Sequence, residues 1–81
     1  MNKSIEERVR NVMSSVFDVS TDKIKNDTSP DTIDSWDSLK HMNLIIGLEE
    51  EFGIEFDDDD IGNLLNFDLI KIYIEEILSI S

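Results

Sequence analysis

Apolar residues recur with a helical period in the first part of the chain. Ser4-Ile5-Glu6-Glu7 matches a capping box, in which a serine at the N-cap is followed by a glutamate at N3. Apolar residues then return at intervals of three or four positions: Ile5, Val9, Val12, Met13 and Val16. The pattern predicts a first helix over residues 5–17.

Two further helices and a short one are predicted in the second half. A second helix runs from about Ser38 to Phe52, and Gly53 supplies its stop. A short third helix is indicated where an acidic run precedes apolar residues: Asp57–Asp60, then Ile61, Leu64 and Leu65. Asn66 is a suitable cap for a fourth helix, whose apolar positions are Leu69, Ile70, Ile72, Tyr73, Ile74, Ile77 and Leu78. No strand pattern competes, although residues 54–56 fit a brief extended segment.

Residues 18–36 have the Ser, Thr, Asn, Asp and Pro content of turns and caps. This loop is about twice as long as a simple helix connection needs, which is typical of a functional or locally folded segment. We expect Ile24 and Ile33 to fix it to the core. The patterns together predict an all-α fold with one domain over residues 1–81. It is a small bundle of three main helices plus one short helix, with a long loop between helices one and two.

The predicted second helix carries two separate apolar stripes. At about 100° per residue, one arc is the expected core face and collects Leu44, Ile45, Leu48 and Phe52. A second, smaller stripe has acidic residues at its far end and collects Leu39, Met42 and Ile46, with Glu49 and Glu50 beyond. Such a strip suits a partner with an apolar groove and a basic rim. The alternative is that the bundle or the long loop buries this stripe too.

The chain is strongly acidic, with 7 Lys and Arg against 19 Asp and Glu and a formal net charge of −12. Neither nucleic acid nor an anionic membrane is expected as a partner, whereas basic protein surfaces are. The alternative is that the acidity serves solubility alone. The lack of cysteine excludes disulfides, thiolate chemistry and Cys-based zinc sites. Charged residues interrupt any signal-peptide pattern in residues 1–17, and no segment has the ~18 apolar residues of a membrane helix, so we expect a soluble, cytoplasmic protein.

Asp37, Ser38 and His41 raise the question of hydrolysis, because Ser and His three positions apart can meet on a helix. In a catalytic triad, the carboxylate orients the imidazole from the side that faces away from the serine. Asp37 instead directly precedes the serine at a helix start, where we expect it to act as the N-cap. No G-x-S-x-G elbow surrounds Ser38. We therefore assign no catalytic residue and expect His41 at the edge of the core.

Ser38 is better suited to covalent modification. Free N–H groups and the positive end of the helix dipole favour an anionic group at a helix N-terminus. The end of a long loop is also accessible to another enzyme. A phosphoester on Ser38 fits this position, and a simple capping serine is the alternative.

Asp37-Ser38-Leu39, followed by Leu-Glu-Glu-Glu-Phe at residues 48–52, resembles the acyl carrier protein family. The resemblance extends over nearly the whole chain, since residues 5–9, the short third helix and the Tyr73-Ile74 pair are also similar. It implies that Ser38 receives a 4′-phosphopantetheine arm from coenzyme A, attached by a separate, magnesium-dependent phosphopantetheinyl transferase. The terminal thiol of the arm would carry acyl or aminoacyl groups as thioesters, and the protein would be a carrier rather than an enzyme.

The resemblance also implies site residues and partners. Leu39, Met42, Glu49 and Glu50 would help partners to dock, and the second stripe adds Ile46. Asp37 would lie close to the arm or to the magnesium of the transferase. The implied partners are that transferase and the enzymes that load and process acyl or aminoacyl groups through basic, apolar docking surfaces. We expect a monomer.

The chain departs from fatty-acid carriers around the serine. Trp36 stands where they have a small or aliphatic residue, Lys40 and His41 place positive character after the serine, and Asn43 replaces a frequent glutamate. These differences favour a dedicated carrier of a specialised acyl, aminoacyl or sugar-modification pathway. An acyl chain would be sheltered in the core if the helices open, unless that space is filled by Phe67, Ile70 and Ile74.

Two rival interpretations remain. Asp57–Asp60 resemble the start of a calcium-binding loop, but the twelfth position holds Asp68 rather than Glu. We expect no specific metal site there, since acidic residues at a helix start also suit its dipole. The rival function is an interaction module that docks partners through the second stripe and is never modified.

Overall fold

The computed structural model describes residues 4–80, with the side chains of residues 4–79. Within that range the elements are α1 (Ile5–Phe17), a 3-10 turn (Thr21–Lys23), α2 (Ser38–Phe52), α3 (Asp58–Ile61) and α4 (Phe67–Ile80). The described residues contain no strand, so the predicted all-helical fold is confirmed. No helix between residues 4 and 80 combines the length and apolar character needed to cross a membrane.

The helix termini are fixed by polar residues that the sequence pattern indicates. The hydroxyl of Ser4 accepts a hydrogen bond from the N–H of Glu7 at 3.2 Å, and Oδ1 of Asn66 accepts one from the N–H of Leu69 at 2.8 Å. Each bond satisfies a backbone donor that has no acceptor within its helix. Gly53 ends α2 with a left-handed φ of 65°. The predicted bounds of the first two helices are therefore confirmed.

The third helix differs from the prediction. The acidic run itself forms α3, since the N–H groups of Asp60 and Ile61 bond to the carbonyl of Asp57 at 3.0 and 3.2 Å. Its carboxylates lie at the positive end of the helix dipole, which stabilises negative charge. Because α3 ends at Ile61, Leu64 and Leu65 lie in the connection to α4. Leu64 is buried in the core, whereas Leu65 is exposed.

The core lies where α1 packs against the inner face of α2 and against α4. The buried side chains include Leu44, Ile45 and Leu48 of α2, together with Val9, Met13, Phe67, Ile70 and Ile74. Phe52, the last member of the predicted core arc, packs at the edge of this cluster. Gly47 permits the close approach of α1 and α2, because a Cβ atom there would lie 3.1 Å from Cγ1 of Val12.

The long loop between α1 and α2 is folded against the core. Ile24 and Ile33 are buried, as predicted, and so is Trp36. Thr28 is buried as well, and its carbonyl accepts a hydrogen bond from the N–H of Phe67 at 2.9 Å, which ties the loop to the start of α4. The loop therefore holds the start of α2 at a fixed position on the bundle.

Candidate functional site

Ser38 is the first residue of α2, and it is exposed. Asp37 caps the helix, since its Oδ1 accepts a hydrogen bond from the N–H of Lys40 at 2.8 Å. The predicted Asp37 cap is confirmed, and the alternative of a capping serine is wrong. Within the described residues the Ser38 hydroxyl has no hydrogen-bond partner.

The N-terminus of α2 leaves backbone donors beside Ser38. The side-chain Oδ1 of Asp37 accepts a hydrogen bond from the N–H of Lys40, and the carbonyl of Asp37 accepts one from the N–H of His41, each at 2.8 Å. The N–H groups of Ser38 and Leu39 make no such bond to any described residue. Free N–H groups and the positive helix dipole together stabilise an anionic group. The residues present therefore fit a phosphoester on Ser38.

The two residues that place positive character just after Ser38, Lys40 and His41, both have hydrogen-bond partners in other parts of the chain. Nζ of Lys40 donates to the carbonyl of Val16 at 3.2 Å, at the C-terminal end of α1, where the helix dipole favours a cation. Nδ1 of His41 accepts a hydrogen bond from Nε1 of Trp36 at 3.0 Å. Because an indole nitrogen only donates, this imidazole nitrogen is the acceptor of the pair. Both polar side chains after Ser38 are thus held by contacts with other parts of the chain.

His41 links α2 to α3. Its Nε2 donates to the carbonyl of Ile61 at 2.8 Å, and its ring stacks on the indole of Trp36 with centroids 6.1 Å apart. Both ring nitrogens thus have partners other than Ser38, so His41 is not placed to deprotonate the serine. His41 is partly buried at the edge of the core, as predicted.

An open depression of about 390 Å³ lies beside Ser38. Its walls come from α2, the long loop and the connection before α4: Pro30, Trp36, Asp37, Ser38, His41, Met42 and Leu65. The volume falls near the lower end of the range for small-molecule sites. The sequence does not predict Pro30 and Leu65 as site residues, because neither carries a reactive group and only the folded chain brings them beside Ser38. The contact between Trp36 and His41 did have a sequence signal. A buried tryptophan needs an acceptor for its indole N–H, and His41 is a polar residue close by in the sequence.

The second apolar stripe of α2 is exposed. Leu39 is 71% exposed, Ile46 51% and Met42 45%. The predicted two-stripe geometry is therefore confirmed, and the alternative that the bundle or the loop buries this stripe is wrong. Apolar residues exposed together on one helix face form the kind of surface that partner proteins bind.

The two acidic residues predicted beside the stripe have different environments. Glu50 is exposed. Glu49 is partly buried, and its Oε2 accepts a hydrogen bond from the N–H of Phe56 at 2.9 Å. Glu49 thus stabilises the connection after α2, whereas the charge of Glu50 faces solvent.

The acidic run at α3 contributes one structural contact, made by the side chain of Asp60. Among the described residues, no three His, Cys, Asp or Glu side chains are grouped so that they could hold a metal ion. The hydroxyl of Tyr73 donates to Oδ2 of Asp60 at 2.9 Å, which ties α4 to α3. Burial of the phenol, and then its hydrogen bond to Asp60, raise the pKa of Tyr73 above its ordinary value of 10.0.

Comparison with known proteins gives several relatives that share one name. No protein-family model matches the chain. The acyl carrier protein of Nitratidesulfovibrio vulgaris (strain DP4) is 39% identical over 62 residues, which cover 76% of this chain and 82% of that protein. The acyl carrier protein of Buchnera aphidicola subsp. Acyrthosiphon pisum (strain Tuc7) is 41% identical over 58 residues, or 72% of each chain. The acyl carrier protein of Buchnera aphidicola subsp. Schizaphis graminum (strain Sg) is 34% identical over 61 residues, or 75% and 77%.

Proposed function

The chain belongs to the acyl carrier protein family, and we propose that it carries acyl or aminoacyl groups as thioesters on a 4′-phosphopantetheine arm attached to Ser38. Its relatives are carriers rather than enzymes. The observation that carries the proposal is the exposed Ser38 hydroxyl, which lacks a hydrogen-bond partner among the described residues and lies at the N-terminus of α2.

In the proposed modification, Oγ of Ser38 attacks the phosphorus of coenzyme A that bears the pantetheine. The new Oγ–P bond replaces a phosphoanhydride bond, adenosine 3′,5′-bisphosphate leaves, and the hydroxyl proton passes to a base of the transferase or to water. The free N–H groups at the start of α2 favour the charge of the phosphodiester. Asp37 uses one carboxylate oxygen as the helix cap, and we assign its other oxygen to the magnesium ion of the transferase.

The docking surface in this proposal is the exposed stripe of α2. Leu39, Met42 and Ile46 provide apolar contact, while Glu50, and to a lesser degree Glu49, provide negative charge beside it. The partners are the phosphopantetheinyl transferase and the enzymes that load and process the carried group. Basic rims on these enzymes complement the net charge of −12, which accelerates their encounter with the carrier.

We further propose a dedicated role in a specialised biosynthetic pathway, with a monomeric carrier in the cytoplasm. The support is the indole of Trp36 directly before Asp37-Ser38, together with its hydrogen bond to His41. These two residues give the surroundings of the serine a shape that partner enzymes can distinguish.

A second candidate function is an interaction module that is never modified. The exposed stripe favours it, because this surface forms without any group on Ser38. The two functions differ in their need for the serine, since a module works with alanine at position 38 and a carrier does not.

Counting thiols tests the carrier proposal, because the chain has no cysteine. The purified protein is incubated with coenzyme A, magnesium and a broad-specificity phosphopantetheinyl transferase, and is then alkylated with iodoacetamide. We expect a single alkylated thiol per chain after treatment and none before. A protein that stays free of thiol with several transferases would contradict the carrier proposal and favour the module.

A further inference from the structure

The exposed stripe of α2 contains a sulfur atom. Met42 is 45% exposed and lies one helical turn from Leu39 and from Ile46, so its thioether belongs to the surface proposed for docking. Met13, in contrast, is 0% exposed and packs in the core. The chain has no cysteine. Among the side chains that the structure describes, those of residues 4–79, Met42 therefore carries the one sulfur that a reagent in solution can reach.

A thioether in this position can accept one oxygen atom from a peroxide. A lone pair of Sδ attacks one oxygen of hydrogen peroxide, the O–O bond breaks, and the products are a sulfoxide and water. The sulfur loses two electrons and the peroxide gains them. Because the step requires contact between the peroxide and the sulfur, access decides which methionine reacts. The exposure of the two side chains thus favours Met42 over Met13.

The new oxygen makes an apolar side chain polar at a place where partners are expected to bind. In the free protein water solvates this oxygen, because Met42 is exposed, so the fold loses little stability. When a partner covers the stripe, the oxygen leaves water and is surrounded by apolar contacts such as those of Leu39 and Ile46. A polar acceptor that is buried without a donor carries a free-energy penalty. Oxidation of Met42 therefore weakens docking and leaves the helical bundle intact.

On the basis of the proposed function, we propose that Met42 is a reversible oxidation site that controls docking. Peroxides convert it to the sulfoxide, and the oxidised carrier binds its partner enzymes, including the phosphopantetheinyl transferase, more weakly. A methionine sulfoxide reductase supplied with a dithiol reverses the change, since the oxygen leaves as water and the dithiol becomes a disulfide. The switch operates before the arm is attached and also while the thiol of the arm is held as a thioester. In both states the protein has no free thiol that competes for the peroxide.

Treatment of the protein with hydrogen peroxide, followed by removal of the peroxide with catalase, tests this inference. We expect peptide fragmentation to find the added oxygen on Met42 and Met13 to stay reduced. The KM of a broad-specificity transferase for the oxidised chain should rise about tenfold with kcat nearly unchanged, and methionine sulfoxide reductase with dithiothreitol should restore it. Circular dichroism should show the same helix content before and after oxidation. Equal oxidation of Met13 and Met42 in the folded protein would overturn the selective site.

A matched pair of variants makes the test specific, each compared with itself before and after peroxide. Met42→Leu keeps an apolar side chain of similar size but has no sulfur at this position, so its KM should not respond to peroxide. Met13→Leu removes the buried sulfur instead and should keep the full response. An unchanged KM for the oxidised chain, or an equal rise in Met42→Leu, would overturn the inference and leave the proposed function intact. Such a rise would assign the effect to another residue, such as Met1, which lies outside the described residues. Failure of the untreated chain to accept the arm from several transferases would overturn both.

Discussion

The indole N–H of Trp36 donates a hydrogen bond of 3.0 Å to Nδ1 of His41, whose other ring nitrogen donates to the carbonyl of Ile61 at 2.8 Å. This relationship fixes the tautomer of the histidine and joins the loop before the serine to the two helices that follow it. It also explains how a bulky residue directly before Asp37-Ser38 is accommodated, since the indole is 5% exposed with its polar atom satisfied.

Removal of the imidazole should destabilise the fold. In His41→Ala, the N–H of buried Trp36 and the carbonyl of Ile61 both lose their partner, which costs about 1–3 kcal/mol in the free energy of unfolding. Urea denaturation followed by circular dichroism measures the loss. Asn43→Ala, at an exposed position of the same helix, is the control and should change stability by less than about 0.5 kcal/mol. Equal stability of the two variants would show that the hydrogen bonds of His41 contribute little.

Replacement of Asp37 by alanine should lower the free energy of unfolding more than replacement of Ser38 by alanine. Asp37→Ala removes the helix cap and should lower the free energy of unfolding by about 0.5–2 kcal/mol. Ser38→Ala removes a hydroxyl with no hydrogen-bond partner among the described residues and should change stability by less than about 0.5 kcal/mol. Thermal and urea denaturation of both variants gives the comparison. A larger loss in Ser38→Ala than in Asp37→Ala would show that the serine has a structural role.

Charge within the stripe should weaken docking without unfolding the protein. Met42→Glu places a carboxylate on a side chain that is 45% exposed, so stability should change little. If Met42 lies at the centre of the docking surface, the KM of the transferase should rise about tenfold, equivalent to about 1.4 kcal/mol of binding. Asn43→Glu makes the same charge change outside the stripe and should leave KM nearly unchanged. Equal effects in the two variants would contradict the docking role, and gross unfolding of Met42→Glu would show that the stripe is needed for the core.

Tyr73 should make the fold sensitive to alkaline pH. Its pKa is raised in the folded protein, so the folded state keeps the phenol proton where the unfolded state releases it. The stabilisation is fully present below pH 10.0, the ordinary pKa of tyrosine, and is lost as the pH rises through the higher folded value. Ultraviolet titration of this single tyrosine locates that value. Tyr73→Phe should remove this part of the alkaline loss of stability, and an unchanged profile would assign the loss to other groups.

The sequence predicts the parts of this fold that depend on local chemistry. Helical spacing and caps at Ser4, Asn66 and Gly53 are encoded within a few residues, and the structure confirms them. The exposed stripe follows from the angle of each residue around α2, so it too is predictable. The bounds of α3 are not predictable in this way. Its single turn is held by two hydrogen bonds to the carbonyl of Asp57, and many other local conformations compete with so short a helix.

The surroundings of Ser38 depend on contacts that only the folded chain creates. Lys40 reaches the carbonyl of Val16, and His41 reaches that of Ile61, each at least twenty positions away. Residue type alone therefore predicts polar side chains beside the serine, while only the tertiary structure determines which backbone carbonyls they bond. The same holds for Leu65, whose part in the depression arises only when the connection before α4 packs beside α2.

Attachment of the arm to Ser38 is tested most directly by intact-protein mass spectrometry followed by peptide fragmentation. The protein, Ser38→Ala and Ser20→Ala are each treated with coenzyme A, magnesium and a broad-specificity transferase. Ser20 is an exposed serine whose side chain forms no cap bond, so its variant controls for the loss of a hydroxyl. We predict a gain of one phosphopantetheinyl group on the unaltered protein and on Ser20→Ala, mapped to Ser38, and none on Ser38→Ala. An unmodified protein with several transferases, or a modification that persists in Ser38→Ala, would contradict the claim.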